Sequence, residues 1–288
     1  MEAKLLGLVG RLFREHRLNG LSQSSIGQAL MSSPQALAIQ TREMAMKGTI
    51  PQGVADEIGL LVQPDHESSK LRGLCTLVEE LKAKRPDDWR VLVFTSRTKT
   101  QEAIGRYLRA KGITTGFIAG SKAIENERAI RAFKASPPGV RVLISTDAGA
   151  EGINLQVANV LVNFDVPWNP MVLEQRIGRI QRLASQHKEV TVLNLVLAGS
   201  VEETVVARLG AKLQAISESL GDIEGILESS AYAGDDDESF EALIRRLVVD
   251  SLKGVNVEEA TRLAVESIEK AKRIFEEEQE TVEQTLGE

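Results

Sequence analysis

The sequence is poor in the residues that carry covalent and metal chemistry. One cysteine, Cys75, in 288 residues excludes an internal disulfide. Three scattered histidines beside it supply no metal-ligand cluster. No run of about 18 apolar residues occurs, so no transmembrane helix is expected. The N-terminal MEAKLLGLVGRLFREHR is amphipathic but charged throughout. It lacks the apolar segment and small-residue cleavage site of a signal peptide, which points to the cytoplasm, a bacterial or archaeal cytosol or nucleoid. The phosphate loop G-x-x-x-x-G-K-[ST] is missing, and no acidic motif ends a strand in its place. MKGT (46–49) lacks the upstream glycine, and Asp56-Glu57 follows no apolar strand. No G-x-G-x-x-G follows the first strand, which excludes a nicotinamide-binding domain. There is no internal repeat.

What is present suffices for one large domain or two small ones, with 42% hydrophobic residues. The net charge of −6 is unevenly placed. Residues 257–288 hold ten glutamates against four Lys/Arg, so the tail carries the whole excess and the body is neutral. A neutral body is compatible with a local basic groove.

Three regions differ in texture. Residues 1–70 read as helices and a connector. Leu5, Leu8, Val9, Leu12 and Phe13 carry the first helix, Ser33-Pro34 opens another, and 51–70, with Pro51, Gly53, Gly59 and Pro64, reads as a link. Residues 71–200 alternate short β-branched runs with helical patterns. The runs are VLVF (91–94), GFIAG (116–120), VRVLIST (140–146), ANVLVNFDV (158–166) and VTVLNLVLAG (190–199). Helical patterns fall near 99–111, 123–135 and 170–184. This predicts an α/β fold, a parallel sheet with helices on both faces, flanked by helical extensions at each end. Ligands bind beyond the carboxyl ends of such strands, where Thr95-Ser96, Gly120-Ser121, Thr146-Asp147 and Asp165 lie. Residues 201–288 are helical again. Ser200 and Glu203 form an S-x-x-E capping box before a stripe of Val201, Val205, Leu209, Leu213, Ile216 and Leu220. GDDDES (234–239) is a solvated break. A last helix, about 256–286, is expected to bury Val257, Ala260, Ala264, Ile268, Ala271 and Phe275.

The octapeptide QRIGRIQR (175–182) is unusual. Asn169-Pro170 starts its helix as cap and first residue. At about 100° per residue, Leu173, Ile177, Ile180 and Ala184 share one face. Gln175, Arg179 and Arg182 share a nearly opposite arc. Gly178 leaves mid-helix backbone bare at about 1 kcal/mol relative to alanine. Two readings stand side by side. One is a solvated face. The other is a pair of arginines aimed at phosphate, which guanidinium groups bind bidentately without losing charge.

Taken together, LVFTSR (92–97), GFIAGS with Arg128 and Phe133, STDAGAEGINLQ (145–156), DVPWNP (165–170) and QRIGRIQR resemble, in order, the motifs of the second RecA-like lobe of superfamily 2 helicases and translocases. More narrowly they resemble the Swi/Snf-related branch, with its bacterial RapA-like members most similar. One departure is visible. The family continues as R-x-G-Q, whereas Arg182 is followed by Leu-Ala-Ser-Gln. The arginine spacing is intact.

The resemblance implies two lobes that clamp ATP with Mg²⁺ and ride along a nucleic-acid backbone. Arg179 and Arg182 would reach the ATP phosphates, with Arg182 as the finger, and Gln175 would orient them. Gly149, Glu151 and Gly152 would approach the nucleotide. Ser145, Thr146, Thr95, Ser96, Gly120 and Ser121 would contact the nucleic-acid backbone. Arg176 fits the motif but points about 60° away from Arg179, and is read as a structural salt-bridge partner. The roles of Asp165, Trp168 and Asn169 are open between family function and a turn or core anchor. The expectation is therefore the C-terminal half of a DNA-stimulated ATPase working with a separate N-terminal RecA-like lobe. By itself the chain is expected to bind no cofactor tightly and to hydrolyse no ATP. Duplex DNA is the expected track, and the C-terminal helices are a possible protein-docking surface. The alternative is a non-catalytic regulatory module that binds nucleic acid or a protein.

Overall fold

Five parallel strands form the centre of the computed structural model: β1 (Val91–Phe94), β2 (Thr115–Ile118), β3 (Val142–Ser145), β4 (Val160–Asn163) and β5 (Thr191–Asn194), in the order β2-β3-β1-β4-β5. The structure describes residues 1–63, 66–87, 89–120, 122–150, 152–180, 190–208 and 240–286. Four strands lie inside an apolar run expected to form one, and β2 begins one residue before its run, at Thr115. β1 holds the middle, with Val91 level with Val142 on one side and Val160 on the other.

Side chains on a strand alternate between faces, and here both faces are apolar. Val91 and Val93 face a core shared with Leu71, Leu74 and Val78, and with Ile104 and Leu108. These come from α5 (Ser69–Lys84) and α6 (Thr98–Ala110). Leu92 and Phe94 face a second core with Phe133 of α7 (Ala123–Lys134), Leu155 and Ile180. Each fully buried side chain of this kind stabilises by about 1.5–3 kcal/mol. After β3 the chain makes one short helix, α8 (Asp147–Ala150).

Four helices precede the sheet: α1 (Glu2–Glu15), α2 (Gly20–Ser32), α3 (Pro34–Met46) and α4 (Gln52–Leu61). α1 buries the expected Leu5, Leu8, Val9, Leu12 and Phe13, and Ser33 caps α3 by accepting from the Ala36 amide at 3.1 Å. The expected link at 51–70 is corrected. Half of it is α4, which starts behind Pro51 and buries Ala55 and Ile58. Its glycines mask a helix that tertiary packing stabilises. The boundary expected at residue 70 also moves. Residues 1–166 and 172–197 form one compact unit, in which Lys70 Nζ donates to the Met31 and Phe164 carbonyls at 2.9 and 3.1 Å.

Residues 167–171 and 198–288 form a second unit. It contains a π-helical turn (Glu202–Ala207), α10 (Phe240–Leu252) and α11 (Glu258–Leu286), with Val205, Ile244, Val248, Val257 and Ile268 buried. The Ser200 hydroxyl accepts from the Glu202 amide at 3.2 Å, and Glu203 accepts from the Gly199 amide at 2.6 Å. That is the capping box displaced by one residue. Ala260, expected in the core, is exposed. The stripe from Leu209 to Leu220, and GDDDES, lie outside the described residues, as do the side chains of Ala271 and Phe275.

Candidate active site

α9 (Pro170–Ile177) follows the cap expected for it, with Asn169 Oδ1 accepting from the Met171 amide at 2.9 Å. The helix is shorter than its sequence pattern. It gives way to a turn at 178–180, where the Ile180 amide bonds to the Ile177 carbonyl at 3.0 Å and the Arg179 carbonyl accepts from the Leu155 amide at 3.0 Å. Among the described residues, a Cβ on Gly178 would meet the Glu174 and Gln175 carbonyls at 3.4 and 3.6 Å and no other element.

The two described arginines of this segment have opposite environments. Arg176 is buried at 2% exposure. Its Nε and Nη2 donate to the two oxygens of Asp147 at 2.6 and 2.9 Å. Its Nη1 donates to Asn163 Oδ1 at 2.9 Å and to the Asp165 carbonyl at 2.8 Å. The guanidinium lies 5.2 Å from the centre of the Phe94 ring. Asn163 is oriented by a bond from its Nδ2 to Asn194 Oδ1 at 2.8 Å, which turns its oxygen toward Arg176. The salt-bridge partners of Arg176 are therefore Asp147 and, more distantly at 3.7 Å, Asp165. Arg179 is half-buried, with no ion pair among the described residues, and Gln175 is exposed. Both border a cleft of about 220 Å³ with Phe94, Asp147, Ala148, Ala150, Val172 and Arg176.

Asp165 anchors the carboxyl end of β4. Its Oδ2 accepts from Ser32 Oγ at 2.6 Å and Thr95 Oγ1 at 2.7 Å, and its Oδ1 accepts from the Ser96 amide at 2.8 Å. Arg97, beside it, donates to Gln40 Oε1 at 2.8 Å and the Ser25 carbonyl at 3.0 Å. Burial lowers its affinity for the proton, against the opposing pull of Asp165 and Glu43. A lowered arginine is still a cation at neutral pH.

A larger groove of about 1000 Å³ opens on the other side of Asp147-Ala148. Ser96, Gly120 and Thr146 line it, together with the basic Arg106, Arg109 and Lys122, the acidic Glu102, Glu125 and Asp147 and the aromatic Phe117. Gly105 makes room for Phe117, since a Cβ there would lie 2.1 Å from the ring, and Arg109 stacks 5.0 Å from its centre. So the strand ends feed two neighbouring depressions, one holding Gln175 and Arg179 and the other Ser96, Gly120 and Thr146.

Three expected site residues take other parts. Thr95 is fully buried, with its hydroxyl bonded to Asp165. Ser145 is fully buried and donates to the Thr146 carbonyl at 2.9 Å. Both hydroxyls are taken up inside the fold, Thr95 by Asp165 and Ser145 by the Thr146 carbonyl. Gly149 is a packing glycine. A Cβ would lie 2.8 Å from Ala119 Cα, its amide nitrogen and the Ile118 carbonyl carbon, so α8 approaches the end of β2 there. Gly152, by contrast, has φ +73° and open space where a Cβ would be. Arg182, Glu151 and Ser121 lie outside the described residues. Trp168 is buried, as a core anchor would be. Sequence reasoning missed Ser32, Asn163, Arg106 and Arg109. Ser32 and Asn163 carry no local motif, and the two arginines read as an ordinary wet helix face.

Residues 69–184 match the family described as the helicase conserved C-terminal domain. An uncharacterized ATP-dependent helicase, YqhH, of Bacillus subtilis (strain 168) is 39% identical over 145 residues, 50% of this chain and 25% of that protein. The RNA polymerase-associated protein RapA of Vibrio vulnificus (strain YJ016) is 36% identical over 179 residues, 60% of this chain and 18% of that one. The matched segment contains α5, β1 to β4 and α9, so this part of the chain is similar to the C-terminal domain of helicases. Its parallel sheet, with an apolar core on each face, is the α/β fold that the sequence pattern predicts. The chain thus spans a quarter or less of those two relatives. A solved structure of the C-terminal part of the Fun30 ATPase domain aligns over 74% of this chain and 63% of that one, at 20% identity and a TM-score of 0.47. Among the described residues no helix is long and apolar enough to cross a membrane.

Proposed function

We propose that this chain is a helicase lobe, the second half of an ATP-driven motor that moves along duplex DNA. The observation that carries the reading is the contrast within one segment. Arg176 is held by four hydrogen bonds inside the fold, whereas Arg179 stands two residues past α9, half-buried and without an ion pair among the described residues, in a cleft it shares with Gln175. A guanidinium held this way suits a terminal phosphate supplied across a lobe interface, where it would stabilise charge that builds during transfer. Hydrolysis of ATP, with Mg²⁺ and the phosphate loop of a first lobe, supplies the free energy. This chain's own contribution is to present Arg179 and Arg182, to orient them through Gln175, and to keep the segment rigid through Arg176. Glu151 and Gly152 belong to the same nucleotide-facing edge. Gly149 serves it indirectly, by letting α8 pack.

The larger groove is the proposed track. Ser96, Gly120, Ser121 and Thr146 would meet the phosphate backbone through hydroxyls and amides, which carry no sequence information. Arg106, Arg109 and Lys122 supply the positive charge. Thr95 and Ser145 support this edge from inside. Association with RNA polymerase belongs to RapA by name, and a protein partner is an open possibility for the second unit here.

The test is ATP turnover by the intact ATPase containing this lobe, with Arg179→Ala and Arg182→Ala made separately. Loss of about three to five orders of magnitude in kcat from one of them is the expectation for a phosphate-reaching arginine. Wild-type turnover in both would remove this segment from the chemistry. Turnover unaffected by duplex DNA in the wild-type enzyme would remove the track.

A further inference from the structure

The N-terminal helical layer meets the arginine segment through polar bonds rather than through packing alone. Ser32, the last residue of α2, is 1% exposed. Its hydroxyl donates to Asp165 Oδ2 at 2.6 Å and lies 2.7 Å from Thr100 Oγ1. The Ser33 hydroxyl lies 2.7 Å from the same Thr100 oxygen. Next to it, Lys70 joins the Met31 carbonyl at the negative end of α2 to the Phe164 carbonyl, one residue before Asp165. A helix C-terminus beside a carboxylate is electrostatically unfavourable, and the Lys70 ammonium offsets it. From Asp165 the path continues in one step, since its carbonyl accepts from Arg176 Nη1 at 2.8 Å.

Buried polar networks add little net stability against an apolar alternative, but they fix orientation, because each bond has one good geometry. A helical layer that only covered the sheet could do so with leucines. Here it instead supplies one of the three hydroxyl or amide donors that hold the Asp165 carboxylate.

We propose that Ser32 is a positioning residue for the ATPase reaction, acting through Asp165 and Arg176 to set the place of Arg179, so that the N-terminal helical layer is wired to the nucleotide cleft. This rests on Arg179 being the arginine that reaches phosphate. Removing the Ser32 hydroxyl leaves the Asp165 carboxylate with only Thr95 Oγ1 and the Ser96 amide of its three donors. The carboxylate, whose Oδ1 lies 3.7 Å from Arg176 Nη2, then places Arg176 and the turn behind it less firmly. A misplacement of about 1 Å in a catalytic group costs up to about 100-fold in rate.

The experiment is a double-mutant cycle on the intact ATPase, with Ser32→Ala and Arg179→Ala made singly and together. Steady-state kcat and KM for ATP are measured, with thermal unfolding as a folding control. The expected result is that Ser32→Ala lowers kcat about tenfold with KM within about twofold, and lowers it no further in the Arg179→Ala background. An unchanged kcat in Ser32→Ala, or an equal additional loss on top of Arg179→Ala, overturns the proposal. If Arg179→Ala alone leaves turnover intact, this proposal falls, while the functional reading above falls only if Arg182→Ala leaves it intact as well. Where Ser32→Ala does not fold, the near-isosteric Ser32→Cys carries the same cycle, because a thiol is a much weaker donor.

Discussion

Replacing Arg176 with methionine should unfold this lobe far more readily than the same change at Arg179. The Arg176 guanidinium is 2% exposed and bonds to Asp147, to Asn163 Oδ1 and to the Asp165 carbonyl. Its loss leaves the last two acceptors buried without that donor, at about 1–3 kcal/mol each. The Asp147 side chain is 37% exposed, so water replaces part of its partner and its share is about 1 kcal/mol or less. Asp165 keeps Ser32, Thr95 and the Ser96 amide. The methionine recovers some apolar contact with Phe94. A net loss of about 3–5 kcal/mol follows, the range for breaking a buried ion pair. For a body of this size that is a fall in Tm of about 10 °C. Arg179 has no ion pair among the described residues to lose, so Arg179→Met should stay within about 0.5 kcal/mol of wild type. Thermal unfolding of the three chains side by side, followed by circular dichroism, decides it. An Arg176→Met chain melting within about 2 °C of wild type refutes the reasoning, and so does an Arg179→Met chain melting equally low.

Three further outcomes follow from separate parts of the molecule. Gly149→Ala places a Cβ 2.8 Å from backbone that cannot yield, and should destabilise by about 1–3 kcal/mol in urea denaturation; a neutral effect would show that α8 has room to move. Replacing Arg106, Arg109 and Lys122 together with alanine should lower the slope of log affinity for duplex DNA against log salt by up to about three, if all three meet phosphate. An unchanged slope takes the groove out of the track. Burial, with Glu79 and Glu67 adding and Lys111 opposing, raises the proton affinity of Cys75 above its ordinary value. A raised folded value favours the neutral thiol, so its contribution is present below the unfolded pKa and is lost as pH rises through the folded one. Cys75 should therefore alkylate more slowly at pH 8 than a free thiol, and a matching rate would contradict its burial.

The strands were legible because a strand buried on both faces needs only a short β-branched run, and VLVF, VRVLIST and ANVLVNFDV are such runs. The start of α9 was legible because Asn169-Pro170 is a local capping signal. The helix at 52–61 was not, because its glycines and flanking proline argue locally for a link while Ala55 and Ile58 are satisfied only by distant partners. The end of α9 was hidden for the same reason, since the Leu155 amide takes the Arg179 carbonyl across the fold.

What the chain determined locally is the kind of molecule: a parallel α/β lobe with hydroxyls, glycines and arginines at its strand ends. Their positions along the chain follow from period and from short motifs, which neighbouring residues enforce. What only the tertiary structure decided is which of those residues turn inward. Thr95 and Ser145 look as available as Ser96 and Thr146 when read in a line, whereas helical phase alone had set Arg176 apart from Arg179. Their division depends on the pleat of each strand and on partners such as Asp165, Asn163 and Ser32, which reach them only when the sheet and the helices in front of it close together.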